Sequence, residues 1–156
     1  MSEQVPDETR FESVTAYLSW DHDRLEGLLN EASQKIQAGR LAEAREFYRA
    51  FEGGLSRHIR LEEELLFPVF EARMGMAGPT TVMRLEHREI EKAMKIMRDG
   101  LESGDPQGFR KGLDFLGTVL PDHNSKEEHI LYPTTDQALS DDERALFTSR
   151  LQRESA

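Results

Sequence analysis

Two stretches of the chain, RHIRLEEELLFP at 57–68 and DHNSKEEHILYP at 122–133, share the form H-x-x-x-E-E-x-x-L-[FY]-P. Each falls within an apolar pattern of helical period, and in each an imidazole and a carboxylate stand four residues apart where that pattern calls for core side chains. An unpaired buried charge costs several kcal/mol, against a total stability of about 5 to 15 kcal/mol. The motif therefore limits what the chain can fold into: its core must supply partners for ionisable groups. The repeat also extends beyond the motif, because His22 and His87, Glu26 and Glu91, His58 and His123, Glu62 and Glu127, and Pro68 and Pro133 are all 65 residues apart. Such a register predicts two helical hairpins of related design packed about an approximate two-fold axis.

Start and stop signals agree with this. Gly39, the run MGMAGP (74–79) and the run SGDP (103–106), with Asp105 and Pro106 opening the next helix, divide the chain into helices at about 9–38, 41–72, 80–102 and 106–135. A tail helix at about 141–151 starts from the capping box Ser140-x-x-Glu143. The expectation is all-α: an antiparallel up-down-up-down four-helix bundle with a short C-terminal helix, a single domain over 1–156 with its core at about 9–136 and a flexible N-terminus at 1–8. The predicted inward stripes are Phe11, Thr15, Leu18, His22, Leu25, Leu29, Ala32 and Ile36, and then Phe47, Phe51, Leu55, His58, Glu62, Leu65 and Val69. Met83, His87, Ile90, Met94, Met97 and Leu101 follow, and the fourth helix gives Phe109, Leu113, Leu116, Leu120, His123, Glu127 and Ile130. Every helix thus places a histidine on its buried seam.

Buried imidazoles and carboxylates at i and i+4 can close on one ion, and a divalent cation supplies the charge they need. With no cysteine in the chain, any metal must be held by His and carboxylate, which favours iron, manganese or zinc. Four imidazoles and two carboxylates exceed a closed tetrahedral zinc site and suit two metals. His22 and His58 are assigned to one metal and His87 and His123 to the other, with Glu62 and Glu127 spanning the pair and a bridging water, oxo or hydroxo group completing the core. Glu26 and Glu91, one turn after their histidines, are further candidates as terminal ligands, weighed against solvent-facing residues paired with Arg or Lys. Acceptors for the outer imidazole nitrogens are sought by adjacency among Asp21, Asp23, Glu86 and Asp122. Glu63 and Glu128, about 140° off the seam of an α-helix, read as surface residues, and His129 as a histidine outside the site.

The net charge of −10 argues against nucleic acid or an anionic membrane as partner, and the absence of a long apolar run or signal-peptide pattern predicts a soluble, cytoplasmic protein. Neither G-x-G-x-x-G nor a P-loop occurs.

Over about residues 14–135, DHDRLEGLL, RHIRLEEELLFP, LEHREIEKAM and DHNSKEEHILYP, in that order, resemble the hemerythrin-like (HHE cation-binding) family. The resemblance implies a four-helix bundle with a non-haem di-iron centre (Fe2+/Fe3+) held by His22, His58, Glu62, His87, His123 and Glu127. Oxygen-carrying hemerythrins have a second histidine one turn after the third-helix ligand, where this chain has Glu91, and a carboxylate five residues after the last histidine, where it has Glu128. The repeat of Glu62 favours Glu127 as the ligand, and replacing imidazole by carboxylate disfavours reversible O2 carriage. Family relatives that repair iron–sulfur clusters carry a cysteine-containing N-terminal region, and this sequence contains no cysteine. The expected function is a binding protein that senses, binds or stores iron, O2 or a related small oxidant. The alternatives are a di-iron enzyme acting on O2, peroxide or NO, and a bundle that metal merely cements. The expected partners are a small diatomic or peroxide ligand and a redox or signalling protein of unknown identity, with the chain a monomer or homodimer.

Overall fold

The computed structural model describes residues 11–154, and every regular element among them is helical. In chain order they are α1 (Val14–Gln37), α2 (Leu41–Leu61), a π-helical turn (Glu62–Leu66), α3 (Phe67–Met74), α4 (Gly78–Glu102), α5 (Pro106–Lys126), a second π-helical turn (Glu127–Leu131), α6 (Tyr132–Ala138) and α7 (Asp141–Glu154). Among the described residues no helix is long and apolar enough to cross a membrane. The expected flexible stretch 1–8 lies outside the described residues.

α1 begins later than expected, because Ser13 caps it by accepting from the Ala16 N–H at 3.0 Å and the Asp136 carboxylate takes the Val14 and Thr15 N–H groups. α1 packs on α2 and α4 on α5 as two hairpins. Each hairpin turns at a glycine of positive φ, Gly39 (74°) and Gly104 (70°), where the next amide bonds back to the carbonyl five residues earlier. The capping box before α7 is formed, with the Ser140 N–H donating to Glu143 and the Glu143 N–H to Ser140 Oγ.

The π turns change what the helices bury. Phe67 and Tyr132 donate their N–H groups five residues back, to the carbonyls of Glu62 and Glu127. Pro68 and Pro133 follow immediately; neither can donate an N–H, and a proline ring crowds the carbonyl four residues earlier, which a wider turn relieves. The extra residue shifts the seam by one. Leu66, Phe67 and Phe70 are core, whereas the expected Leu65 and Val69 are only half-buried. Leu131 likewise replaces the expected Ile130, which is 60% exposed.

Two apolar clusters fill the interior. One contains Leu25, Phe51, Leu55, Ile90, Met97, Phe109 and Leu116; the other contains Leu18, Leu61, Leu66, Phe67, Met83, Leu131, Tyr132 and Leu151. Each seam passes from one cluster to the other through its histidine, so the four imidazoles form a polar layer between two dry ones. Burial on both sides strengthens the electrostatics of that layer.

Candidate metal centre

His22, His58, His87 and His123 are all buried, and Glu62 and Glu127 are fully so. They form two overlapping groups: His22, His58, Glu62 and Glu127, and then Glu62, His87, His123 and Glu127. Within each group the donor atoms lie within 4.8 Å of one another, and the two carboxylates belong to both groups. All four imidazoles turn Nε2 inward. His22 Nε2 is 3.1 Å from Glu127 Oε1, His58 Nε2 is 3.1 Å from Glu62 Oε2, and His123 Nε2 is 3.0 Å from Glu127 Oε2. His87 Nε2 lies 3.0 Å from Glu62 Oε1 and 3.8 Å from Glu127 Oε2.

The chemistry of these atoms tests whether a cation fits. Glu62 Oε1, His87 Nε2 and Glu127 Oε2 are buried and without a hydrogen-bond partner, although they face one another at these short distances. Donor atoms about 3 Å apart but misaligned for hydrogen bonding are what adjacent ligands of one ion present when its bonds are about 2.1 Å long. Three such atoms, all in the group formed by Glu62, His87, His123 and Glu127, fit a metal ion held among them.

Each outward Nδ1 meets its own carboxylate: His22 with Glu128 at 2.7 Å, His58 with Asp21 at 2.8 Å, His87 with Glu63 at 2.7 Å and His123 with Glu86 at 2.8 Å. This outer ring repeats at the same 65-residue interval. Asp21 and Glu86 were expected as acceptors, but each serves the histidine of the neighbouring helix; Asp23 and Asp122 are exposed and serve none of the four. Glu63 and Glu128 correct the expectation that they are surface residues. Each is the second residue of its π turn and reaches across to the Nδ1 of a histidine on another helix, a pairing that an α-helical projection of its own helix cannot show. Glu26 and Glu91 are not brought to the cluster. Leu25 and Ile90 take the inward slots after His22 and His87, which leaves Glu26 exposed and Glu91 exposed and paired with Arg88 at 3.1 Å. His129 is exposed, as expected.

Tyr132 was not anticipated as a site residue. Its buried hydroxyl lies between Glu62 Oε2 and Glu127 Oε1 (2.9 Å), sharing its single proton between them, and stands 3.2 Å from His58 Nε2 and 3.3 Å from His22 Nε2. The equivalent residue of the first repeat is Phe67, whose ring stacks on His87 at 5.7 Å. The aromatic-proline pair marked the position in the sequence, but whether its hydroxyl reaches the core depends on the packing of four helices.

Without a cation the layer is a network of shared protons. Burial draws the His58 imidazole down, but the Glu62 charge and the hydrogen bond to Asp21 outweigh it and hold the group well above its ordinary value. His87 is pushed up to about 10, because the Glu127 and Glu62 carboxylates that face it overcome its burial. Burial alone would raise Glu127, yet the facing imidazoles of His123, His22 and His87 hold it well below the usual carboxylate range. Burial, then the charges of Glu127 and Glu62, keep the Tyr132 phenol protonated as a donor.

The family described as "Hemerythrin HHE cation binding domain" matches residues 13–135. Over 89 residues, 51% of this chain, the sequence is 30% identical to proteins named "Iron-sulfur cluster repair protein YtfE" from Escherichia coli O157:H7, Escherichia coli strain K12 / DH10B and Shigella boydii serotype 18. The matched region spans 40% of the length of these relatives. No solved structure gives a significant match. With a helical bundle, an inward layer of four histidines and two shared glutamates, and a family match over most of its length, the chain belongs to the hemerythrin HHE cation-binding family.

Proposed function

We propose that the chain is a cytoplasmic non-haem di-iron protein that senses, binds or stores iron, O2 or a related small oxidant. The helices follow an up-down-up-down order in this reading, and residues 1–156 act as one domain. His22 and His58 would hold one iron and His87 and His123 the other, with Glu62 and Glu127 shared between them. The carrying observation is that three orphaned atoms, Glu62 Oε1, His87 Nε2 and Glu127 Oε2, face one another within the group that also holds His123. Iron held there would supply redox chemistry towards a small ligand.

The remaining roles fall to the protein's own groups. Glu128, Asp21, Glu63 and Glu86 accept from Nδ1 of His22, His58, His87 and His123, which fixes the tautomer and aims each Nε2 inward. Tyr132 steadies the carboxylates on the His22 and His58 side, and Phe67 packs over the His87 ring. The apolar cluster containing Leu18, Leu66 and Leu131 excludes water from one side of the layer.

A second reading, a di-iron enzyme acting on O2, peroxide or NO, is favoured by the likeness to the YtfE proteins, which are named for iron–sulfur cluster repair. The two are separated by loading the protein with ferrous iron under anaerobic conditions and following the visible spectrum on addition of O2, peroxide or NO. A band that forms and reverses under vacuum supports binding, and consumption of many equivalents supports turnover. Tight zinc binding with no uptake of iron overturns both.

A further inference from the structure

The repeat provides an internal comparison, and away from the metal layer its halves differ where the hairpins face each other. Between α2 and α4 the space is filled: Tyr48 is buried with its hydroxyl donating to the Met94 carbonyl at 2.7 Å, and Glu52 pairs with Arg98. The residues 65 positions on, facing α1 from α5, are Leu113 and Gly117, and neither replaces that bulk. A side chain begun at Gly117 would meet nothing within 4 Å. A cavity of about 370 Å3 opens there instead, walled by Leu25, Leu29, Phe51, Leu113, Leu116 and Leu120. His22 and Glu128 of the metal centre also line it, Asp23 and Glu26 stand among its polar residues, and no lysine or arginine does.

We propose that this cleft binds a small molecule carrying one aromatic ring and a neutral or positively charged polar end, held against the His22 edge of the metal centre. The volume lies within the range of small-molecule sites. Its size follows from the other half of the molecule, where a tyrosine ring occupies the corresponding space. Leucine and phenylalanine walls gain from desolvating a ring, whereas the carboxylates of Asp23, Glu26 and Glu128 repel an anion. The site stands on the cleft alone and does not depend on which metal the centre holds.

Calorimetric titration of the protein with its metal in place, using benzyl alcohol, benzylamine and benzoate, tests this. Benzyl alcohol and benzylamine are expected to bind, and benzoate to bind at least about tenfold more weakly, the discrimination expected where three carboxylates and no lysine or arginine line the cleft. Leu113→Tyr, which restores the tyrosine of the other half, and Gly117→Met should each abolish binding while metal content and helical circular dichroism stay unchanged. Failure of both neutral and cationic probes to bind the unaltered protein overturns the proposal. So does benzoate binding as tightly as benzylamine, or undiminished probe binding in a filled variant that retains its metal. Metal content, measured in the same samples, keeps this outcome separate from that of the di-iron reading.

Discussion

Tyr132 and Phe67 hold equivalent places in the repeat, yet only Tyr132 brings a hydroxyl to the shared carboxylates. The His22 and His58 side is therefore hydrogen-bonded without a cation, while the orphaned atoms involve His87 on the other side. Tyr132→Phe leaves buried carboxylate oxygens short of a donor and should lower the stability of the metal-free protein by about 1 to 3 kcal/mol. Urea unfolding with and without a chelator measures it, with the smaller loss expected in the metal-bound form. The outer ring gives a second expectation: Glu63→Gln and Glu128→Gln should each weaken metal binding by about 10- to 100-fold in chelator competition. The inner six residues could be read in the sequence because i and i+4 spacing survives in the α-helix before each π turn. Glu63 and Glu128 could not, since the imidazoles they meet lie on other helices.

The π turn is the element that separates reading from structure. An α-helical period carried past Glu62 selects Leu65 and Val69 for the core, and past Glu127 it selects Ile130. The extra residue selects Leu66, Phe70 and Leu131 instead. The prolines that accompany the turns were visible, but a proline in a helix can equally kink or end it, and only the surrounding packing decides. Deleting the exposed Glu64 should convert the first turn to α-helix while keeping Leu66 and Phe70 inward. The expected product is a folded protein with a near-normal melting temperature whose Glu63 no longer meets His87. Its metal affinity should drop by about 10- to 100-fold in the same competition assay. A deletion that abolishes folding would show that the π turn is required by the core rather than by the site.

At the scale of the whole molecule, charge placed inside the bundle ties metal uptake to protons. In the metal-free protein His87 sits above its ordinary 6.5, at about 10, so the stability it contributes is complete below 6.5 and is lost as pH rises through about 10. Glu127 sits below its ordinary 4.5, so its contribution is present above 4.5 and is lost as pH falls towards its folded value. Urea midpoints of the metal-free protein should therefore be highest between about pH 4.5 and 6.5. Metal affinity should run the other way at alkaline pH: it rises as the imidazoles lose their protons, and calorimetry in buffers of different ionisation enthalpy should record proton release on binding. The two-fold plan was legible in the 65-residue interval, since each hairpin carries its own copy of the motif. The exchange of Phe67 for Tyr132 was visible inside the motif, but what its hydroxyl reaches was not, nor was the cleft at Leu113 and Gly117, because both depend on what surrounds each copy.

Iron bound per chain tests the shared-carboxylate centre most directly. Metal-free protein reloaded anaerobically with ferrous iron and passed through a desalting column should retain about two irons per chain, the stoichiometry of carboxylate-bridged bundle sites. Glu62→Ala, which removes a donor from both groups at once, should retain less than about one. Equal iron in the two proteins would contradict a centre built on Glu62.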